Sequence, residues 1–279
     1  MEAGVAAALL AASFLHAAWH ALVKSSGDRV VALAGMNLVS GAVAIACLPF
    51  ARLPSAGATL VIAASVLLHG SYKVALARLY AHADLSRAYP LGRGVTPIIA
   101  ALLGIAFLGQ VPGALSFCGI VLVSVGVAGL AFEGKATASL AVLGIALLVG
   151  GTVACYSVLD AYGIALNGDW LGFTAWLIAC DSVAFVAYAL ATRKGAALAG
   201  WRRDRGRVLA SGTLGVASFG IFMWALGRAP VGAVSALRET SILFAAALGA
   251  LALKERMTPL RYLSATAVML GIAAISAFR

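Results

Sequence analysis

The chain has 279 residues, 63% of them hydrophobic and 11% charged, with a mean hydropathy of +1.02. A soluble domain carries roughly 25% charged residues, so a water-soluble fold of this composition would lack the polar surface to cover itself. The apolar runs are continuous rather than alternating, which excludes a closed β-barrel. The net charge of +10 does not point to nucleic acid, because six of the 20 Lys and Arg (Arg193, Lys194, Arg202, Arg203, Arg205, Arg207) crowd one loop between apolar runs. That is the pattern of a cytoplasmic loop near anionic headgroups.

A bilayer core of about 30 Å takes roughly 20 apolar residues per helix. That ruler predicts ten spans, at 4–23, 30–51, 58–81, 86–108, 112–132, 139–160, 170–191, 207–228, 231–252 and 259–278. The first follows no basic stretch, so it reads as a span that stays in place rather than a cleaved leader. The breaks coincide with polar, Gly and Pro clusters such as Ser25-Ser26-Gly27-Asp28-Arg29, Leu53-Pro54-Ser55 and Asn167-Gly168-Asp169. Cys47, Cys118, Cys155 and Cys180 each fall inside an apolar run, with neither a CxxC nor a Cys/His cluster of metal-ligand spacing. They read as small core residues, and neither metal nor cofactor is expected.

Loops after odd-numbered spans hold fourteen Lys and Arg, and even-numbered loops with the tails hold three: Arg52, Arg228 and Arg279. The positive-inside rule then puts both termini on the non-cytoplasmic side of an inner membrane.

The two halves, 1–134 and 135–279, resemble one another. With Arg93 laid on Arg238, ten of the 39 positions through Ala131 and Ser276 are identical, among them Gly104, Val123 and Gly126. The break at Leu108-Gly109-Gln110 falls on that at Leu253-Lys254-Glu255. Five spans per half is odd, so the halves run in opposite senses. The expected architecture is all-α and membrane-integral, with ten helices in two inverted five-helix repeats.

Three stretches carry a family resemblance: Leu15-His16-Ala17-Ala18-Trp19-His20 in span one, Arg87-Ala88-Tyr89-Pro90-Leu91-Gly92-Arg93-Gly94-Val95-Thr96-Pro97 in span four, and Ala236-Leu237-Arg238-Glu239-Thr240-Ser241 in span nine, which ends Leu253-Lys254-Glu255-Arg256. Together they resemble the EamA-type drug/metabolite transporter superfamily. The resemblance implies transport of amino acids, drugs or other metabolites through a cavity lined by spans one, three, four, six, eight and nine. One departure stands out: span four of such families commonly ends in Leu-x-Glu, and here the last position is Gln110, while Glu255 keeps the acid in the second half.

A charge in a membrane helix costs about 2.5–3.5 kcal/mol or more at the centre, so each needs a reason. Arg93 and Arg238 each lie seven residues into a span, about 10 Å from its end at 1.5 Å per residue. In an inverted pair they bracket the midplane and suit an anionic or zwitterionic substrate; alternatively Arg238 pairs with acids and Arg93 bonds carbonyls freed by Pro97. Pro90, Gly92, Gly94 and Pro97 suggest a kinked helix lining the path, or simple packing. His16, Trp19 and His20 share one helical face, as do His69, Tyr72 and Lys73. Tyr156 with Asp160, and Trp224 with Arg228, repeat a four-residue spacing and read as an outer gate or as interfacial anchors. Asp181, on span seven, reads as structural.

The candidate substrate-binding set is His16, Trp19, His20, His69, Tyr72, Lys73, Tyr89, Arg93, Tyr156, Trp224, Arg238 and Glu239. Proton coupling would fall to Glu239 and the histidines. With no HExxH, GxSxG or P-loop, the chain is expected to be no enzyme. It is read as a secondary transporter, monomeric or weakly dimeric, whose partners are a small-molecule substrate and the lipid bilayer. The rival readings are a cationic multidrug exporter, a phosphonate or organophosphate transporter, and a non-transporting accessory subunit.

Overall fold

The structure is a computed structural model that describes residues 1–82, 85–130, 140–245, 247 and 258–277, apart from the side chains of 80–89 and 91. It contains α1 (Ala3–Lys24), α2 (Arg29–Cys47), α3 (Ala56–His82), α4 (Leu85–Leu108), α5 (Ala114–Gly129), α6 (Leu140–Asn167), α7 (Trp170–Arg193), α8 (Gly195–Arg203), α9 (Arg205–Leu226), α10 (Val231–Arg238) and α11 (Pro259–Ser276). A 3-10 turn, Leu48–Phe50, extends α2. Among the described residues seven helices are long and apolar enough to cross a membrane, and Gly92–Leu108 and Ala114–Gly129 are shorter apolar helices. The described structure is all-helical, as expected.

Helix ends follow local chemistry. The Asp28 carboxylate accepts from the Val30 and Val31 N–H groups at 2.9 and 3.2 Å and starts α2. Asp169 does the same for α7 through Leu171, and Thr258 for α11 through Arg261. Gly109 and Gly168, both at positive φ, turn the chain after α4 and α6. Gln110, the departure noted above, has a structural role: its side-chain oxygen accepts from the Val231 N–H at 2.8 Å. It thereby caps α10, whose own N-cap, Pro230, provides no side-chain bond. An amide oxygen serves this purpose as a carboxylate would.

Three elements differ from the sequence expectation. The long basic loop contains a helix, α8, whose Ala197 and Trp201 are buried, with the indole N–H donating to the Val31 carbonyl at 2.8 Å. Span nine is not continuous: α10 stops at Arg238, a turn follows at Glu239 and Thr240, and helix resumes over 241–245. Span four, by contrast, runs through Pro90 and Pro97 without interruption. Its glycines serve packing: a Cβ on Gly92 would collide with the Ala146 carbonyl of α6, and one on Gly94 with Ala128 of α5.

Helices approach closely where side chains are small, the usual device in lipid, where no hydrophobic force separates protein from solvent. The partner residues of α5 descend along α11 as its own numbers rise, so the two are antiparallel. A Cβ on Gly126 would meet Val268 at 2.9 Å, and one on Gly271 would meet Val123 at 2.7 Å. α2 and α7 are likewise antiparallel, joined by Arg193 to Asp28 at one end (2.6 Å) and by the Trp176 N–H to the Arg52 carbonyl at the other (3.2 Å). Further seams join α4 to α6, α3 to α6, α1 to α9, α2 to α9 and α4 to α10.

The tightest seam yields a test. A Cβ on Gly150 would fall on the Gly92 carbonyl oxygen, whereas one on Gly151 meets nothing within 4 Å. Gly150→Ala should cost about 1–3 kcal/mol through overpacking and Gly151→Ala less than about 0.5 kcal/mol. Thermal unfolding of the detergent-solubilised protein checks the difference.

Candidate functional site

α3 carries Ser65, His69, Tyr72 and Lys73 at spacings that share one face, and α6 presents Tyr156 and Asp160 one turn apart. The two faces meet. Asp160, fully buried, accepts from the Ser65 hydroxyl and lies 3.1 Å from His69 Nε2. The Tyr156 ring stacks on His69 with centroids 3.9 Å apart. The Tyr156 hydroxyl in turn accepts from Arg238 at 3.3 Å, and the Arg238 guanidinium lies 4.2 Å from the centre of the Phe222 ring.

The remaining buried charges are paired. Arg93 Nε sits 2.9 Å from Glu239 Oε2, both side chains fully buried. Lys73 donates to Asp181 and, at 2.8 Å, to Asn37 Oδ1. Arg238 differs: among the described residues it forms no ion pair.

Beside these groups lies a cavity of about 80 Å³ between α1, α2, α3, α6, α7, α9 and the end of α10. Its wall includes His16, Trp19, His69, Tyr72, Lys73, Tyr156, Asp181 and Arg238. His16 accepts from the Trp19 N–H through Nδ1 at 3.2 Å and, among the described residues, has no hydrogen-bond partner at Nε2. The end of α10 is held from α1, where the Ser13 hydroxyl donates to the Leu237 carbonyl at 3.1 Å.

Residues 137–277, slightly over half of the chain, match the EamA-like transporter family. The chain belongs to that family. No curated protein sequence matches it. A solved crystal structure superposes with a TM-score of 0.73 at 14% identity, covering 97% of this chain and 94% of that one, which shows a shared fold. With its apolar helices, membership makes this a multi-pass membrane protein of the drug/metabolite transporter superfamily.

Within this EamA protein the cavity gathers seven of the twelve sequence candidates: His16, Trp19, His69, Tyr72, Lys73, Tyr156 and Arg238. His20 lies behind the wall, its ring 3.7 Å from that of Trp19. Arg93 and Glu239 adjoin Arg238 but face each other, so the expectation of two arginines presented to one substrate is corrected: Arg238 lines the cavity and Arg93 does not. Trp224 is placed outside the cavity, under the Arg228 guanidinium at 4.6 Å. The Tyr89 side chain lies outside the described residues, as does Glu255.

Two acids outside the candidate set lie at or beside the cavity. Asp181, taken from the sequence as structural, lines the cavity. Asp160, taken with Tyr156 as an outer gate or interfacial anchor, is buried against α3. The helices that enclose the cavity differ too: α2 and α7 contribute wall residues, and no described α4 side chain does. Asn37 and Ser65 escaped sequence reasoning, because a lone polar residue in an apolar run signals nothing until its partner on another helix is known.

Removing one member of a buried ion pair strands the other, at a cost of about 3–5 kcal/mol. Glu239→Gln should therefore destabilise the protein by that order, and Arg93→Met combined with Glu239→Leu should recover most of the loss. Denaturant titration of the three forms checks it.

Proposed function

We propose that this protein is a secondary transporter of a small metabolite bearing a net negative group, working by alternating access across the inner membrane. The observation that carries the reading is Arg238. Of the three buried cations among the described residues, Lys73 and Arg93 have a carboxylate within ion-pair reach, and Arg238 at the cavity wall has a tyrosine hydroxyl and an aromatic face instead. A guanidinium held in a membrane interior with no acid in ion-pair contact is set up to take its counter-charge from a ligand. His16 Nε2, buried at the same wall, is a further polar atom open to such a ligand. A cationic drug would meet Asp181, but Lys73 already occupies that carboxylate, which disfavours the cation-exporter reading.

The same proposal includes ten spans in two inverted halves, 1–134 and 135–279. In this count α9 is span eight, α10 with 241–245 belongs to span nine, and α11 is span ten. The packing supports it. Exchanging each span for the one five places away maps the seam of three on six onto that of eight on one, and two on eight onto seven on three. Two on seven, four on nine and five on ten map onto themselves. At the five–ten seam the reciprocal contacts, Gly126 with Val268 and Gly271 with Val123, follow the sequence offset that lays Arg93 on Arg238. Such a two-fold, lying in the membrane plane, suits a midplane site exposed alternately to each side. The excess of Lys and Arg after odd-numbered spans, with α8 in the most basic of those loops, supports termini outside the cytoplasm.

In proteoliposomes the purified protein should take up a labelled amino acid or organic anion, and Arg238→Gln should lose both this uptake and the thermal stabilisation by the same compound, at least tenfold in apparent affinity. Carriage of lipophilic cations alone, with no anion or zwitterion moved, would overturn the assignment. For the topology, alkaline phosphatase fused to either terminus should be active and green fluorescent protein dark; the reverse pattern inverts the proposed orientation.

A further inference from the structure

We propose that the His69–Asp160 pair is a proton-binding site, and that one proton and one negative charge of substrate cross the membrane together. The proposal rests on Arg238 being the substrate's counter-charge, as argued above. Asp160 is fully buried on α6, with the Ser65 hydroxyl on one oxygen and His69 Nε2 3.1 Å from the other. Unlike Asp181 and Glu239, it has no Lys or Arg within ion-pair reach among the described residues. With no cation in contact, a carboxylate so placed offers a proton a binding place, on Asp160 itself or on His69, for part of the transport cycle. His69 lines the cavity, so the proton has an aqueous route to the pair whenever the cavity opens.

The charge count fixes the coupling. The buried Lys, Arg, Asp and Glu, among the described residues, are the cations Lys73, Arg93 and Arg238 and the acids Asp160, Asp181 and Glu239. Lys73 cancels Asp181 and Arg93 cancels Glu239, which leaves Arg238 against Asp160. Empty and unprotonated, the core is neutral. Holding a monoanion on Arg238 and a proton on the pair, it is neutral again. The two half-loaded states carry a net charge in the membrane interior, which is costly. The neutral states are therefore the ones that reorient, and the cycle is symport with one proton per anion.

The groups that face the pair fit this scheme. α6 supplies Tyr156, whose ring lies on His69 and whose hydroxyl holds Arg238, so one side chain touches both binding sites. α9 presents the uncharged Phe219, edge-on to His69 at 5.4 Å. Of the other titratable groups near the cavity, Lys73 of α3 and Asp181 of α7 are committed to each other, as are Arg93 of α4 and Glu239 after α10; α1 brings His16 and His20.

The test uses isethionate, a permanent monoanion that carries no proton of its own, with proteoliposomes that enclose a pH-sensitive dye. Labelled isethionate should enter with internal acidification at one proton per anion, and an inward proton gradient should drive its accumulation. Asp160→Asn mimics the protonated site permanently: its loaded state is neutral and its empty state is not. It should keep exchange of labelled for unlabelled isethionate while losing net uptake and acidification. Isethionate entry without acidification in the unaltered protein, or acidification that survives Asp160→Asn, overturns the proposal. If neither isethionate nor any other anion moves in the unaltered protein, the transporter reading itself falls. The proton site is then decided by difference titration of the solubilised protein, which should bind one more proton than Asp160→Asn or, should that variant not fold, His69→Gln. Equal proton uptake overturns it.

Discussion

A membrane interior supplies no water to solvate an ion, so a charge buried there must find its compensation inside the protein. This chain buries three cations and three carboxylates among its described residues, and the arrangement of the helices follows from how they are matched. Lys73 and Asp181 tie α3 to α7, with Asn37 of α2 as third partner. Arg93 and Glu239 tie α4 to the turn after α10. Asp160, with Ser65 and His69, ties α6 to α3. The three carboxylate contacts each join residues more than 90 positions apart in the chain. Double removal of such pairs is often tolerated while single removal is not, so their contribution is chiefly to fix which helix faces which.

Between these polar ties the helices meet through small residues. Gly92 against Ala146 and Gly150, Gly119 against Gly271, and Gly232 against Ala101 bring backbones into direct contact. Close approach of this kind replaces the hydrophobic drive of a water-soluble core with dispersion and complementary shape. The two kinds of contact divide the labour: glycine seams lie where the helices only pack, and charged or aromatic side chains lie where α1, α3, α6 and α10 converge on the cavity.

Much of the fold was legible in the sequence, because hydropathy measures what lipid requires. The apolar runs anticipated the helices to within a few residues in most cases, and the face shared by His69, Tyr72 and Lys73 was visible from spacing alone. The failures have a common cause. The sixth run was expected to end at Asp160, yet α6 continues to Asn167; a charge in an apolar run reads as its boundary when its partners, 91 and 95 residues away, are out of sight. The same blindness set Asp160 at an outer gate. α8 was missed because the basic residues of a nine-residue helix mask the two that it buries, Ala197 and Trp201.

The break in the ninth span shows why local reading also misplaced the irregular backbone. Proline in span four advertises a kink, but α4 continues past it because Thr96, whose hydroxyl bonds the Gly150 carbonyl at 3.1 Å, and the glycines around it lock that stretch against α6. Span nine has no proline between Val231 and Ser241 and breaks nonetheless. Its cause is tertiary: α10 is capped at its start by Gln110, its Leu237 carbonyl is taken by Ser13 and Thr240, and Glu239 is drawn to Arg93. The carbonyls freed by the turn are satisfied within the protein, as a membrane demands. The consequence is that Arg238 sits on the last turn of a short helix clamped at both ends, so its guanidinium is held toward Tyr156 and the cavity by α1, α4 and the loop after α4 together.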